Sequence, residues 1–213
     1  MSLFFSNNPF RIIGVPSNSG LKIIQKNLSK LKAFSKLGKA VEFDFDLPFL
    51  NLEVVDRSSD VISKVESRIL LEENKLKYSL FWFQDVSSYD SIALAKLIKG
   101  DTDKALEIWT KAMKSEEVNS KNFSAFNNLG TYKLLSKNKP DIKTGIDAKI
   151  KLIESDYFES FVHTDDGVTG YIQKPDYDQT RMEAIQILSS SEFKITFCQA
   201  EIDQVNWNEE WEK

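Results

Sequence analysis

The chain has 213 residues, of which 41% are hydrophobic, 12% aromatic and 28% charged, the composition of a folded protein rather than a disordered or fibrous one. Its 28 basic and 32 acidic residues leave a net charge of -4, which supplies no long-range attraction for nucleic acid or an anionic membrane. One cysteine, Cys198, and one histidine, His163, exclude an internal disulfide and a Cys/His structural zinc site.

The apolar runs, such as Leu80 to Phe83, are far shorter than the roughly 18 to 20 residues of a membrane span. Residues 1 to 10 lack the basic block, apolar block and small-residue cleavage site of a secretion signal, so the expected location is the cytoplasm. The first element, Asn8 to Val15, is too short for an independent helix and reads as one turn or short helix packed on something larger. A confident amphipathic pattern follows: Leu21, Ile24, Leu28, Leu31, Phe34 and Leu37 recur every three or four residues, with lysines 22, 26, 30, 32 and 36 between them. Ser17, Asn18 and Ser19 offer capping oxygens before it, and Gly38 offers the stop.

Residues 39 to 56 break that period, alternating acids and aromatics through Glu42, Phe43, Asp44, Phe45 and Asp46, and read as an extended loop with room for one short hairpin. A second helix from about Ser58 carries Val61, Ile62, Val65 and Ile69, and a third after Asn74 carries Leu76, Leu80 and Phe83. The aromatic stretch Tyr78 to Phe83 has no Gly or Pro and is expected to be a buried contact joining two units, with Trp82 or Phe83 against the helix of Ala105 and Trp109. From Tyr89 an internal echo starts, because Tyr89, Ile92 and Ala93 return as Phe126, Leu129 and Gly130. Gly100-Asp101 turns the first copy, and Ala105, Trp109 and Ala112 share a face of its second helix. Past about Ser155 the pattern weakens, with turn chemistry at 164 to 167 and 174 to 176, a helix over Arg181 to Leu188, and Trp207 and Trp211 among acids.

Two family resemblances rest on these residues. Asn8-Pro9-Phe10-Arg11-Ile12-Ile13-Gly14-Val15 with the Leu21 to Leu37 helix, then Val61 to Ser67 and Leu70 to Tyr78, resembles a J domain over about 70 residues. The His-Pro-Asp tripeptide of that family is missing, and the 39 to 56 insertion stands in its place. Tyr89, Ile92, Ala93, Ala105, Trp109 and Ala112 are similar to the packing positions of a tetratricopeptide repeat. Phe126, Leu129 and Gly130 restart the pattern, and Ile142, Gly145 and Lys149 depart from its small-residue spacing. The combined order resembles a bacterial family of J-like proteins that brings no activity with it. What the resemblance implies is a basic helix meeting an acidic chaperone surface, with Lys22, Lys26 and Lys30 as contact residues, and a DnaK-class chaperone bound without activation.

No catalytic constellation stands out. His163 beside Thr164, Asp165 and Asp166 offers an acid/base or metal reading, and a turn after a helix end explains the same residues. Cys198 lacks the context of a nucleophile, and Glu42, Asp44 and Asp46 read as a solvated edge. There is no glycine-rich phosphate loop, so no nucleotide, other cofactor or metal is expected. The fold class expected is all-α: a J-like domain over 1–86 with its insertion at 39–56, tetratricopeptide-like hairpins over 87–155, and a helical or irregular extension over 156–213. The expected function is non-catalytic protein binding, as an adaptor or co-chaperone-like module, with Lys96 and Asn127 reaching a peptide from the concave face of the repeat. The alternative is a small metal-dependent hydrolase using the acids near His163. Neither nucleic acid nor membrane is an expected partner.

Overall fold

The computed structural model describes residues 3–50, 52–70, 78–115, 117–135, 139–164 and 177–189. Every regular element among them is helical, and no strand occurs among the described residues. In chain order the helices are α1 (Leu3–Ser6), α2 (Pro9–Ile13), α3 (Leu21–Lys36), α4 (Ser59–Leu70), α5 (Ser88–Ile98), α6 (Thr102–Ala112), α7 (Phe123–Leu135), α8 (Lys139–Glu154), α9 (Phe158–Thr164) and α10 (Tyr177–Leu188). The all-α expectation holds.

Local chemistry explains most of the boundaries. Helix α2 starts at Pro9 because Asn8 accepts the Phe10 N–H at 3.1 Å, and it stops at Gly14, whose φ of 74° is the left-handed conformation that glycine adopts without strain. Helix α5 starts in a capping box, Ser87 accepting from the Asp90 N–H while the Asp90 carboxylate accepts from the Ser87 N–H. Helix α3 corrects one expectation: its N-cap is Gly20 without a side-chain cap, because the Asn18 amide instead exchanges hydrogen bonds of 2.7 and 2.8 Å with the Asp85 backbone. No hairpin occurs among the described residues of 39–56, which fold into 3-10 turns at Asp44–Asp46 and Pro48–Leu50 separated by Leu47, a buried residue at a φ of 49°. The third expected helix is also shorter than its pattern: residues 78–80 are helical, Phe83 lies beyond them, and Leu76 lies outside the described residues.

Two apolar clusters make the core. The first joins Phe10, Ile13, Ile24, Leu28, Leu31, Ile62 and Val65 to Trp82, Phe83, Ala93, Leu97, Ala105, Trp109 and Leu129. The second joins Phe5, Leu80 and Phe81 to Phe126, Ile146, Leu152, Phe158, Phe161, Ala184 and Leu188. The first cluster joins residues on both sides of position 86, and the second joins residues on both sides of 86 and of 155. Segment 80–83 joins the clusters, sending its first two side chains into one and its last two into the other, and all four are buried. Phe83 stacks on Trp109 with ring centres 6.0 Å apart, and Trp82 donates its indole N–H to the Val15 carbonyl at 3.0 Å. The segment is the expected buried junction.

Helices α5 and α6 form one antiparallel hairpin, and α7 and α8 form another. The second is unusually close. A Cβ added at Gly145 would lie 3.0 Å from the Gly130 carbonyl oxygen, and one added at Gly130 would lie 3.1 Å from the Gly145 oxygen, so each helix needs the other's missing side chain.

Candidate functional site

The side chains that sequence reasoning proposed for binding divide into one surface stripe, one shared ion pair and one buried amide. The stripe lies on α3. Ile24, Leu28 and Leu31 turn inward to α2 and α4, which leaves Lys22, Lys26, Lys30, Lys32 and Lys36 exposed on the remaining face. Lys22, Lys26 and Lys30 follow one another at four-residue intervals and form a row of like charge. Lys32, beside the row, pairs with Glu66 of α4 at 2.5 Å. Lys30 sits 4.8 Å from the centre of the Phe43 ring, which Arg57 approaches to 4.9 Å, a cation–π contact from each.

Phe43 belongs to the insertion, and three features hold it there as a strap. Arg57 makes a forked ion pair with Asp46 and also donates to the carbonyls of Ile12 and Val41, each at 2.8 Å. Phe43 packs over Gly14 so tightly that a Cβ added there would lie 2.3 Å from it, and Phe49 packs over Gly100 at 2.8 Å by the same measure. The left-handed glycine of α2 and that of the α5–α6 turn thus each receive one aromatic ring from the strap. Beneath it Arg11 is buried, its guanidinium donating to the Glu53 carbonyl. Its Nε and Nη1 have no acceptor among the described residues, and burial lowers its pKa despite nearby Asp46 and Glu53.

Lys96 is partly exposed at the end of α5 and lies 3.7 Å from Asp101, which Lys104 approaches to 3.1 Å. The Lys104 hydrogen bond holds the Asp101 carboxyl below its usual range. Asn127 requires a correction: it is fully buried and cannot reach a peptide. Its amide donates to the Trp82 carbonyl at 2.9 Å, and its side-chain and backbone oxygens both accept from Lys149.

Lys149 was not among the expected site residues. It is fully buried, and its ammonium donates to the Leu80 carbonyl, to both Asn127 oxygens at 2.5 and 2.7 Å, and to Thr131 Oγ1 at 2.8 Å. Burial away from water lowers its pKa well below the ordinary value. The sequence signal was the lysine standing where the repeat pattern calls for a small residue. Gly130 makes the room, since a Cβ there would lie 3.1 Å from the Lys149 chain. Beside this group, buried Asp90 accepts from Ser124 at 2.6 Å, Asn128 at 2.8 Å and the Trp109 indole at 3.2 Å. Asn128 in turn exchanges hydrogen bonds with the Gln84 backbone. The two networks fasten segment 80–84 and Asp90 to α7 and α8 through buried side chains.

His163 lies in α9, while Asp165, Asp166, Cys198, Trp207 and Trp211 lie outside the described residues. Among the described residues no group of three or more His, Cys, Asp or Glu side chains is placed to hold a metal ion. No helix among them is long and apolar enough to cross a membrane.

No family model matches the chain, and no solved structure does. A stretch of 57 residues is 40% identical to part of a protein of Bacteroides thetaiotaomicron named ribosomal protein L11 methyltransferase. The stretch is 26% of this chain and 20% of that protein, so the chain spans about a fifth of the relative it matches. The expectation that the chain is not an enzyme is corrected by this finding, which points, over that short stretch, toward an enzyme.

Proposed function

We propose that the chain is a protein-binding module of adaptor or co-chaperone type, built of a degenerate J-like unit and tetratricopeptide-like hairpins, that engages an acidic protein surface through α3. The observation that carries this reading is the exposed row of Lys22, Lys26 and Lys30 on a helix whose opposite face is locked in the core. Like charges four residues apart repel within a helix, and an acidic partner surface relieves that repulsion while orienting the encounter. The strap supports a binding role without chaperone activation, because Phe43, Asp46 and Arg57 occupy the region where a J domain carries His-Pro-Asp and supply none of its chemistry. The expected setting is the cytoplasm.

The test measures binding of the full chain to a DnaK-class chaperone while salt shortens the Debye length from about 10 Å at 0.1 M to about 3 Å at 1 M. Binding should fall steeply with salt and be lost in a Lys26→Glu, Lys30→Glu variant, and single-turnover ATP hydrolysis by the chaperone should be unchanged. Salt-independent binding would refute the electrostatic reading, and clear stimulation that the variant loses would restore a true co-chaperone.

A second reading, favoured by the 57-residue match, gives the chain a part in methyl transfer to a protein. Incubation with tritiated S-adenosylmethionine and ribosomal protein L11 tests it, label in the protein fraction being the positive result. The hydrolase reading rests on His163 together with acids outside the described residues, and no observed geometry favours it.

A further inference from the structure

The fold takes the charge of Arg11 out of water and meets it only in part. The residue is 1% exposed, yet Nη2 alone finds an acceptor, the Glu53 carbonyl, while Nε and Nη1 have none among the described residues. Lys149 is just as buried and has four oxygens around it. The Asp46 carboxylate is already spent, since both of its oxygens take Arg57 and one also accepts the Phe43 N–H at 3.0 Å. Desolvation outweighs the attraction of Asp46 and Glu53, which is why the Arg11 pKa falls. A guanidinium does not give up its proton in a protein, so a buried and incompletely paired cation stays as a cost of the closed fold.

The stretch whose carbonyl holds Arg11 is itself lightly held. Residues 52–56 end the insertion and include no buried side chain: Leu52 and Val55 are half-buried, Glu53 and Asp56 are exposed, and Val54 is 97% exposed. They make no backbone–backbone hydrogen bond among the described residues. Glu53 ties them down through its carbonyl on Arg11 and through its carboxylate, which accepts from Ser6 Oγ at 3.0 Å. The next residue, Arg57, is firmly anchored on Asp46 and on the Ile12 and Val41 carbonyls. Local opening costs least where so little apolar surface and so few backbone hydrogen bonds are lost.

The shape of the guanidinium links these two facts. It offers an oxyanion two forks, Nε with Nη2 and Nη1 with Nη2. Both forks use Nη2, the nitrogen that the Glu53 carbonyl occupies. A two-oxygen acceptor and the closed position of Glu53 therefore exclude one another. An anion also supplies what a neutral acceptor lacks, a charge opposite to that of the buried group.

We propose that Arg11 is the receptor of an oxyanion, a carboxylate or phosphoryl group of a small ligand, which takes the guanidinium by one fork, displaces the Glu53 carbonyl and lifts residues 52–56. The site is separate from the α3 lysine row and does not depend on that row binding a partner.

The experiment titrates the full chain with sodium acetate, with inorganic phosphate and with sodium chloride at matched ionic strength. It follows the Arg11 Nε–H resonance by nuclear magnetic resonance and amide exchange over 52–56. Acetate or phosphate should shift the resonance saturably and speed exchange over 52–56 at least ~3-fold while α7 keeps its protection. The oxyanion that acts at the lower concentration identifies the ligand group. Arg11→Met should lose both responses with a cooperative thermal transition retained, and if it does not fold the wild-type resonance decides alone. Arg11→Lys, which keeps the charge and loses the fork, should respond no more to the oxyanions than to chloride. A Lys26→Glu, Lys30→Glu chain should respond as the wild type does, so failure of the α3 reading leaves this one standing. The proposal is overturned if chloride acts equally well, if Arg11→Met responds unchanged, or if the α3 variant abolishes the response. It is equally overturned if the Arg11 resonance is protected from solvent and unmoved by either oxyanion, which would leave ordered water as the acceptor.

Discussion

Replacing Trp82 by Ala tests the junction on which the two clusters meet. The indole is fully buried and makes an edge contact with Phe83 at 5.4 Å, and Phe83 in turn stacks on Trp109. Deleting a ring of this kind from a core costs about 3 to 5 kcal/mol through lost transfer energy and the cavity left behind. The Val15 carbonyl also loses the indole N–H that it accepts at 3.0 Å, which adds about 1 kcal/mol or more if water cannot reach it. A loss of about 4 to 6 kcal/mol is therefore expected, a large part of the 5 to 15 kcal/mol that holds a typical domain together. Trp82→Phe separates the contributions, because it keeps most of the ring and removes the donor, and should cost about 1 to 2 kcal/mol. Urea unfolding followed by far-ultraviolet circular dichroism reads both variants without depending on the deleted fluorophore. A loss below about 1 kcal/mol for Trp82→Ala would refute the reasoning, since it would mean that the ring is not core.

Three further outcomes follow from the packing. Arg57→Ala removes one partner of a largely buried forked ion pair and should cost about 3 kcal/mol, with faster amide exchange over residues 41–50; protection unchanged there would show that the strap does not depend on this pair. Burial lowers the Lys149 pKa, so between that value and the ordinary 10.5 the unfolded chain binds the proton that the folded chain gives up, and the Lys149 contribution to stability rises with pH. Lys149→Met should abolish that rise in urea midpoints taken from neutral to alkaline pH, and an identical slope in the variant would count against it. Gly145→Ala pushes a methyl group to 3.0 Å from the Gly130 oxygen and should cost about 1 to 3 kcal/mol in thermal unfolding, whereas a neutral result would show that α7 and α8 can part without penalty.

The helices themselves were legible from local pattern. The stretch from Leu21 onward shows its buried stripe at three- and four-residue spacing, and the structure ends it at Lys36, beside the glycine stop. Tyr78 to Phe83 is too aromatic to lie in water, and Leu80 to Phe83 are buried. These features depend on neighbours a few residues away, and periodicity reports such neighbours directly. The lysine row of α3 was legible for the same reason, because the face opposite a buried stripe is exposed.

Partnerships across long sequence separations were settled by the tertiary structure. Asn127 has a polar side chain and nothing local to say that it is spent on the Trp82 carbonyl and the Lys149 ammonium, 45 and 22 residues away. Lys149 departs from the repeat pattern, but no local rule shows that four oxygens wait for it beside the space left by Gly130. Phe43 alternates with acids in a way that reads as an extended edge, and Phe49 follows in the same loop. The glycines they contact, Gly14 and Gly100, are left-handed turns in two different parts of the chain. The sequence by itself determined the helices with a clear apolar period and the inward face of α3, because backbone propensity and amphipathic period act over a few residues, whereas Tyr89 and Ile92, which read as packing positions, are each 54% exposed. Which polar side chains are withdrawn from the surface was decided by the assembled packing, where desolvation acts on whatever the fold brings together.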